Sequence, residues 1–144
     1  MHHNGTLVHK MFDAINRHDV NEILNCMDRN VEWVAGEQSY HGTDEFRKFV
    51  DFWFTGFPDV KCEIKNLVCT DEWCTVEFTG TGTNNGPLSL PTGQISPTGR
   101  HVEMPFCEVY RFSNGKIVLG HTYFDMYSML NQLGLLPKTR QAGA

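Results

Sequence analysis

Side chains that can exchange protons are concentrated near the end of the chain, in the pentapeptide His121-Thr122-Tyr123-Phe124-Asp125. If this stretch is a β-strand, His121, Tyr123 and Asp125 lie on one face, because strand residues two apart share a face. Same-face neighbours are about 6.6 Å apart, which puts His121 about 13 Å from Asp125. That distance excludes one shared metal ion and a tight catalytic dyad, but the two groups can contact opposite ends of a bound ligand.

A β-hairpin would place a further carboxylate beside this stretch. Alternating residues predict two long strands at 100–112 and 117–125. The dipeptide Asn114-Gly115 between them is a strong signal for a two-residue turn. With these two residues as the turn, we expect the strands to pair directly along their whole length.

This pairing assigns most apolar side chains of the hairpin to one face, which we expect to pack against the helices. Glu108 then lies opposite His121, with Cβ atoms about 5.5 Å apart and within reach of a hydrogen bond. Tyr123 and Asp125 share this face, whereas Thr122 lies on the other. A few polar groups on an apolar, buried face are typical of a ligand pocket.

Asp125, His121, Tyr123 and Glu108 are therefore the candidate catalytic residues. Asp125 would transfer protons, because burial among apolar side chains would raise its pKa. Each residue also has a structural interpretation. Asp125 is a favoured cap for the helix that follows, His121 and Glu108 could be a hydrogen-bonded core pair, and Tyr123 could be a packing residue.

The elements that must enclose this face begin with helices. Apolar residues recur at helical spacing over 7–15 and again over 46–57, where Pro58 ends the pattern. Asp19 and Glu22 resemble a capping box, which predicts a short second helix between these two. A closing helix is predicted over 126–133.

Strands dominate the second half of the chain. One short strand is predicted at 31–34, and residues 60–69 and 73–82 form a pair that precedes the hairpin. The Gly- and Pro-rich segment 83–99 is predicted to be a long loop, which in compact domains is often a lid or an interface. Helices followed by strands indicate an α+β fold with a largely antiparallel sheet.

Composition limits the class of protein. A length of 144 residues predicts one domain, and a net charge of −5 with scattered Lys and Arg argues against nucleic acid as a partner. The chain shows neither a signal peptide nor an apolar run long enough to cross a membrane, so we expect a cytoplasmic protein. Its five cysteines lack CxxC spacing, so we expect reduced thiols and no metal site.

Several segments together carry a family resemblance. "FDAINRHDVNEIL", "FPDV", "GTGTNNGPL", "SPTGRHVEMPFCEVYRFSNGKI", "YFD" and "LNQLGLLP" resemble the SnoaL-like polyketide cyclase and ester cyclase group of the NTF2-like superfamily. The resemblance covers nearly all of residues 1–144. It implies a cone-shaped α+β barrel, in which a curved, mostly antiparallel sheet packs on three N-terminal helices and a short C-terminal helix.

The resemblance also implies a function. Cyclases of this group close a ring by intramolecular aldol condensation without metal or cofactor, and Asp125 takes the position of their acid–base Asp. We therefore expect a cofactor-independent cyclase or isomerase that acts on a small hydrophobic carbonyl compound, in a homodimer associated through the outer sheet face. The residues expected to line the substrate pocket are Trp33, Phe49, Trp53, Phe57, Met104, Phe106 and Tyr110.

Two alternatives remain at this level, because fold alone does not determine function. The protein could be a hydratase or epoxide hydrolase of the same fold. It could also be a non-catalytic module for ligand binding or association, in which Trp53, Phe57 or Tyr110 fills the pocket.

Overall fold

The computed structural model of the protein describes residues 3–137 as four helices and eight strands. In chain order the elements are α1 (His3–Asn16), α2 (Val20–Asn25), β1 (Met27–Ala35), β2 (Gln38–His41), α3 (Gly42–Gly56), β3 (Lys61–Cys69), β4 (Trp73–Thr83), β5 (Leu88–Leu90), β6 (Gly93–Ile95), β7 (His101–Ser113), β8 (Lys116–Phe124) and α4 (Met126–Gln132). The predicted α+β class is confirmed, with three helices before the main strands and one after them.

Six strands form one curved sheet in the order β2-β1-β8-β7-β4-β3. The predicted meander of β3, β4, β7 and β8 is confirmed as a run of antiparallel neighbours. β1 joins it beside β8 as a parallel strand, and β2 folds back on β1. The predicted long loop at 83–99 contains the short β5–β6 hairpin.

The helices cover the inner face of the sheet. Asp19 caps α2, as predicted, by accepting a hydrogen bond from the backbone N–H of Glu22 over 3.1 Å. On α3, Phe46, Phe49 and Val50 lie one helical turn apart and are buried against β1 and the sheet. Trp53, also on α3, contacts Phe106 of β7 and Phe124 of β8, so α3 forms the wall that faces this strand pair.

The β7–β8 pair differs from the predicted pairing. Ser113 pairs with Lys116 and Phe112 with Ile117, as expected, but Arg111 then pairs with Leu119. A β-bulge at this point leaves one extra residue in β8, and beyond it every residue of β8 is displaced by one position relative to β7. The predicted register is therefore wrong for the pairs from Arg111–Leu119 to Phe106–Phe124. In this part of β8 the face that was predicted to be exposed is directed to the interior.

The cysteines also differ in part from the prediction. Cys69 and Cys74 pair across the β3–β4 hairpin and form a disulfide, with Cα atoms 4.1 Å apart. Cys26, Cys62 and Cys107 are free thiols, as predicted. The expectation that all five are reduced is wrong because hairpin pairing brings two of them face to face.

Among residues 3–137, no helix is both long and apolar enough to cross a membrane.

Candidate functional site

A cavity of about 100 Å³ lies between α3 and the inner face of the sheet. Its wall is largely aromatic and aliphatic, with side chains from α1, α2 and α4 closing the remaining sides. The lining includes most of the residues predicted to bind substrate, namely Trp33, Phe49, Trp53, Phe57, Met104 and Phe106. The seventh, Tyr110, lies outside this lining and contacts a residue that belongs to it.

The aromatic part of the wall is organised around Trp53. Its ring contacts Phe57, Phe106 and Phe124 at centroid distances of 6.1, 5.5 and 5.4 Å. Trp53 is only half-buried and packs against both hydrophobic clusters of the interior. Because it borders the cavity and both clusters, we expect its side chain to limit the size of a ligand.

Glu108 supplies the carboxyl of this wall. It points inward from β7 and is 7% exposed. The Tyr110 hydroxyl donates to its Oε1 over 2.5 Å, and the Thr122 hydroxyl donates to its Oε2 over 2.6 Å. Both carboxylate oxygens are thus hydrogen-bonded, as a buried charge requires.

Thr122 is held in place by a third residue. Trp33, on β1, donates its indole N–H to the Thr122 hydroxyl over 2.9 Å. Thr122 and Trp33 are 3% and 2% exposed. The polar groups therefore form a chain through the interior, from Trp33 to Thr122 to Glu108, with Tyr110 at its end.

Burial shifts the pKa values of the titratable groups in and near this series of hydrogen bonds. Removal from water raises the pKa of the Glu108 carboxyl, while the hydrogen bonds from Thr122 and Tyr110 act in the opposite direction. Burial and the nearby Glu108 charge raise the pKa of Tyr110 well above its usual value, so its hydroxyl keeps its proton. Burial likewise raises the pKa of the Cys62 thiol in the cavity wall to about 12.

Of the four residues predicted to be catalytic, Glu108 lies in the cavity wall. Asp125 does not lie on the buried face, and this part of the prediction is wrong. It is exposed and caps α4, where its Oδ1 accepts a hydrogen bond from the Ser128 backbone N–H over 3.0 Å. The structural interpretation of Asp125 is thereby confirmed, and its predicted catalytic role stays a prediction.

His121 and Tyr123 lie on the outer face of the sheet because of the β8 bulge. Tyr123 is 57% exposed, and its hydroxyl lies 3.2 Å from Nδ1 of His121. The predicted contact between His121 and Glu108 is wrong, because His121 pairs with Val109 instead. His121 and Tyr123 therefore contact each other on the opposite side of the sheet from Glu108.

Thr122 is the member of the site that the sequence prediction missed. It was assigned to the outer face, yet it pairs with Glu108 on the inner one. A signal was present two residues earlier, at Gly120. A glycine inside a strand often marks the close approach of another group. In the structure a Cβ at position 120 would lie 2.2 Å from ring carbons of Trp33, so Gly120 faces the interior, and Thr122 shares its face.

Among residues 3–137, no cluster of three or more His, Cys, Asp or Glu side chains is close enough to hold a metal ion. What the cavity offers chemically is one carboxyl in an apolar wall, supported by two hydroxyls. Such a group can accept or donate a proton next to a bound ligand.

Comparison with known proteins places the chain in a family. The SnoaL-like domain model matches residues 8–120. AclR from Streptomyces galilaeus, a proposed hydroxylase, is 25% identical over 96% of this chain and 85% of its own, with a TM-score of 0.80. None of the curated proteins matches the chain significantly.

Two proposed polyketide cyclases share the fold at lower identity. A SnoaL-like protein from Jannaschia sp. CCS1 is 19% identical over 94% of both chains, with a TM-score of 0.83. IdmH from Streptomyces antibioticus is 21% identical over 92% of this chain and 99% of its own, with a TM-score of 0.76. With its curved sheet, four helices and matching domain model, the chain belongs to the SnoaL-like domain family of the NTF2-like fold.

Proposed function

We propose that the protein is a cofactor-independent enzyme that moves protons next to the carbonyl group of a small hydrophobic compound, with Glu108 as general acid and base. The observation that carries this proposal is the buried Glu108 carboxyl in the wall of an otherwise apolar cavity. Membership of the SnoaL-like family supports a cyclase or isomerase type of reaction.

The chemistry follows from the carboxylate. Ionised Glu108 removes a proton from the carbon next to the carbonyl, and the C–H electron pair moves to give an enolate. If the substrate has a β,γ double bond, the enolate extends to the γ-carbon; Glu108 then returns the proton there and the double bond moves into conjugation, which is an isomerisation. Alternatively, the enolate carbon attacks a second carbonyl in the same molecule, and the new alkoxide takes the proton, which closes a ring.

The surroundings of Glu108 suit this role. A general base works best when its pKa lies near the working pH, and burial raises the pKa of Glu108 in that direction. The Tyr110 and Thr122 hydroxyls keep the ionised form accessible by hydrogen-bonding it. The Cys62 thiol, also in the cavity wall, is available to hydrogen-bond the enolate oxygen.

The size of the cavity limits the substrate. A volume of about 100 Å³ is small, since an apolar cavity of about 150 Å³ is known to hold benzene. The site as it stands therefore has room for no more than one small ring, such as that of a small cyclic ketone or lactone. A multi-ring polyketide would require the side chain of Trp53 to move.

The same volume favours a second candidate function, a non-catalytic module that binds a small apolar ligand. In this case Glu108 is a structural carboxylate that ties β7 to β8 through Thr122. The two functions differ in one measurable property, because only the enzyme exchanges protons of its ligand.

Proton exchange with solvent tests the proposal without knowledge of the product. We would incubate a panel of cyclic ketones with the protein in D₂O and follow loss of the α-proton signals by ¹H NMR. We expect the wild-type protein to accelerate exchange of at least one ketone, and Glu108→Gln to lower that rate by about 10²–10⁴-fold. Glu77→Gln, which alters an exposed carboxylate on β4, is the matched control and should retain the wild-type rate.

Two outcomes would overturn the enzymatic proposal. One is exchange that survives in Glu108→Gln at the wild-type rate. The other is that every ketone that raises the melting temperature of the wild-type protein exchanges its α-protons no faster than in buffer, which supports the binding module.

We also propose that two copies associate through the outer sheet face. On this face Tyr123 is 57% exposed and lies opposite Cys107, and His121 lies opposite Val109. Sedimentation velocity should show a dimer that Tyr123→Arg converts to a monomer. Tyr127→Arg, a change at a 70% exposed residue of α4, should leave the dimer intact. A monomeric wild-type protein would contradict the proposal.

A further inference from the structure

The donor group of Trp33 fixes the direction of two hydrogen bonds in the buried chain, from Trp33 to Thr122 and from Thr122 to Glu108. An indole N–H can only donate, so the Thr122 hydroxyl oxygen must accept from Trp33. The single hydrogen of that hydroxyl is then directed to Oε2 of Glu108, 2.6 Å away. Thr122 is thus a donor to Glu108 for as long as Trp33 is in place.

The two oxygens of Glu108 differ for this reason. If Oε2 carried a proton and donated it to Thr122, the Thr122 oxygen would accept twice and its own buried hydrogen would need a new partner, which is unfavourable. Tyr110, at 2.5 Å from Oε1, has no such restriction, because a phenol can donate or accept. Hydrogen bonds from a hydroxyl to an ionised carboxylate are typically short.

Building on the proposed function, we propose that Trp33 is a positioning residue, which fixes Thr122 as a donor to Oε2 of Glu108 and leaves Oε1, shared with Tyr110, as the oxygen that gains and loses the proton. Trp33 acts through Thr122 and does not touch the reacting atoms.

The packing around Trp33 holds its indole in the required orientation. Trp33 pairs with Gly120 across the parallel β1–β8 contact, and its ring lies against the Gly120 backbone, where a Cβ would come within 2.2 Å. Phe46 contacts the ring with centroids 4.5 Å apart, and Tyr110 contacts it with centroids 5.7 Å apart. The indole N–H therefore has little freedom to leave Thr122.

The titration of Glu108 is the direct readout, and it requires no substrate. ¹³C NMR of side-chain-labelled glutamate would give its pKa in the wild-type protein, Trp33→Phe, Thr122→Val and the double variant. The other titratable groups near Glu108 are Tyr110, which hydrogen-bonds to it, and the Cys62 and Cys107 thiols, whose pKa values the Glu108 charge helps to raise. Each has a raised pKa, so none should titrate together with the carboxyl.

We expect Trp33→Phe and Thr122→Val each to raise the pKa of Glu108, with Thr122→Val raising it by about 1, because a hydrogen bond to the charged form is weakened or lost. Thr122→Ser keeps the hydroxyl and should restore the wild-type value. In the double variant the pKa should equal that of Thr122→Val alone, because Trp33 then has nothing to act through. Additive shifts, or a Trp33→Phe variant that is less stable but has an unchanged pKa, would overturn the proposal.

A second measurement covers the case in which Trp33→Phe fails to fold. The indole N–H signal of Trp33 in the wild-type protein should shift with the Glu108 titration, and it should lose this shift in Thr122→Val. The proposal that Trp33 acts on Glu108 through Thr122 would be contradicted by either of two results. One is an indole signal that does not shift during the Glu108 titration, and the other is a shift of equal size in Thr122→Val. Because these titrations are independent of turnover, their failure is distinct from failure of the enzymatic proposal, which the deuterium exchange decides.

Discussion

Glu108 and Thr122 lie opposite each other on the inner face of β7 and β8, with the Thr122 hydroxyl 2.6 Å from a carboxylate oxygen of Glu108. Glu108 carries the one carboxyl of the described cavity lining, and Thr122 of the neighbouring strand is hydrogen-bonded to it. The position of that carboxyl, and its response to pH, therefore depend on how the two strands pair.

The free energy of unfolding should depend on whether Glu108 is ionised. Burial raises its pKa above the ordinary value of 4.5, so the folded protein binds this proton more tightly than the unfolded chain does. The contribution of Glu108 to the free energy of unfolding is therefore greatest below pH 4.5 and falls as the pH rises through the folded-state pKa.

Urea unfolding of wild-type protein and Glu108→Gln between pH 4 and 8 checks this prediction. We expect the free energy of unfolding of the wild type, relative to the variant, to decrease with rising pH. Asp59 has a lowered pKa, chiefly through the Thr83 backbone N–H, but it affects both proteins equally and cancels in the difference. A difference that is constant across this range would show that Glu108 does not titrate there.

Asp125 allows the capping role and the predicted catalytic role to be separated. Asp125→Ala removes the acceptor for the Ser128 N–H and should destabilise the protein by about 1 kcal/mol. Asp125→Asn keeps an acceptor and should have a smaller effect. If Glu108 is the base, both variants retain ketone deuterium exchange, whereas loss of exchange in a folded Asp125→Asn would instead support Asp125 as the catalytic group.

The Cys69–Cys74 disulfide should stabilise the β3–β4 hairpin. For a sequence separation of 5, the loss of chain entropy in the unfolded state corresponds to about 2 kcal/mol. Dithiothreitol should therefore lower the melting temperature of the wild-type protein and leave that of Cys69→Ser unchanged. Cys107→Ser, which removes a free thiol, should respond to dithiothreitol as the wild type does, and mass spectrometry of the alkylated protein would detect any other pairing.

Trp53 should limit ligand size. Trp53→Leu removes part of the cavity wall, so bicyclic ketones should raise the melting temperature of this variant more than that of the wild type. Trp73→Leu is the matched control, because Trp73 is 41% exposed on β4 and lies outside the lining. Equal responses of all three proteins would show that another side chain sets the limit.

Local patterns were sufficient for much of this fold. Helical spacing identified the face of α3, and Asp19 with Glu22 marked the start of α2. Strand alternation correctly placed Glu108 and Tyr110 on the inner face of β7, because neighbouring residues of one strand must point to opposite sides. These features depend on contacts within one element, which is why the sequence by itself determined them.

Which side chains of β8 point into the cavity depends on contacts between strands, and no local sequence pattern describes these contacts. Asn114-Gly115 identified the turn, but the bulge beyond Phe112 moved Thr122 inward and His121 outward. Sequence alternation defines two faces for a strand, and only pairing with β7 and β1 decides which face is buried. The sequence thus determined that a buried carboxyl stands on β7, and the tertiary structure decided that its partner is Thr122, because one extra residue in a strand exchanges its faces.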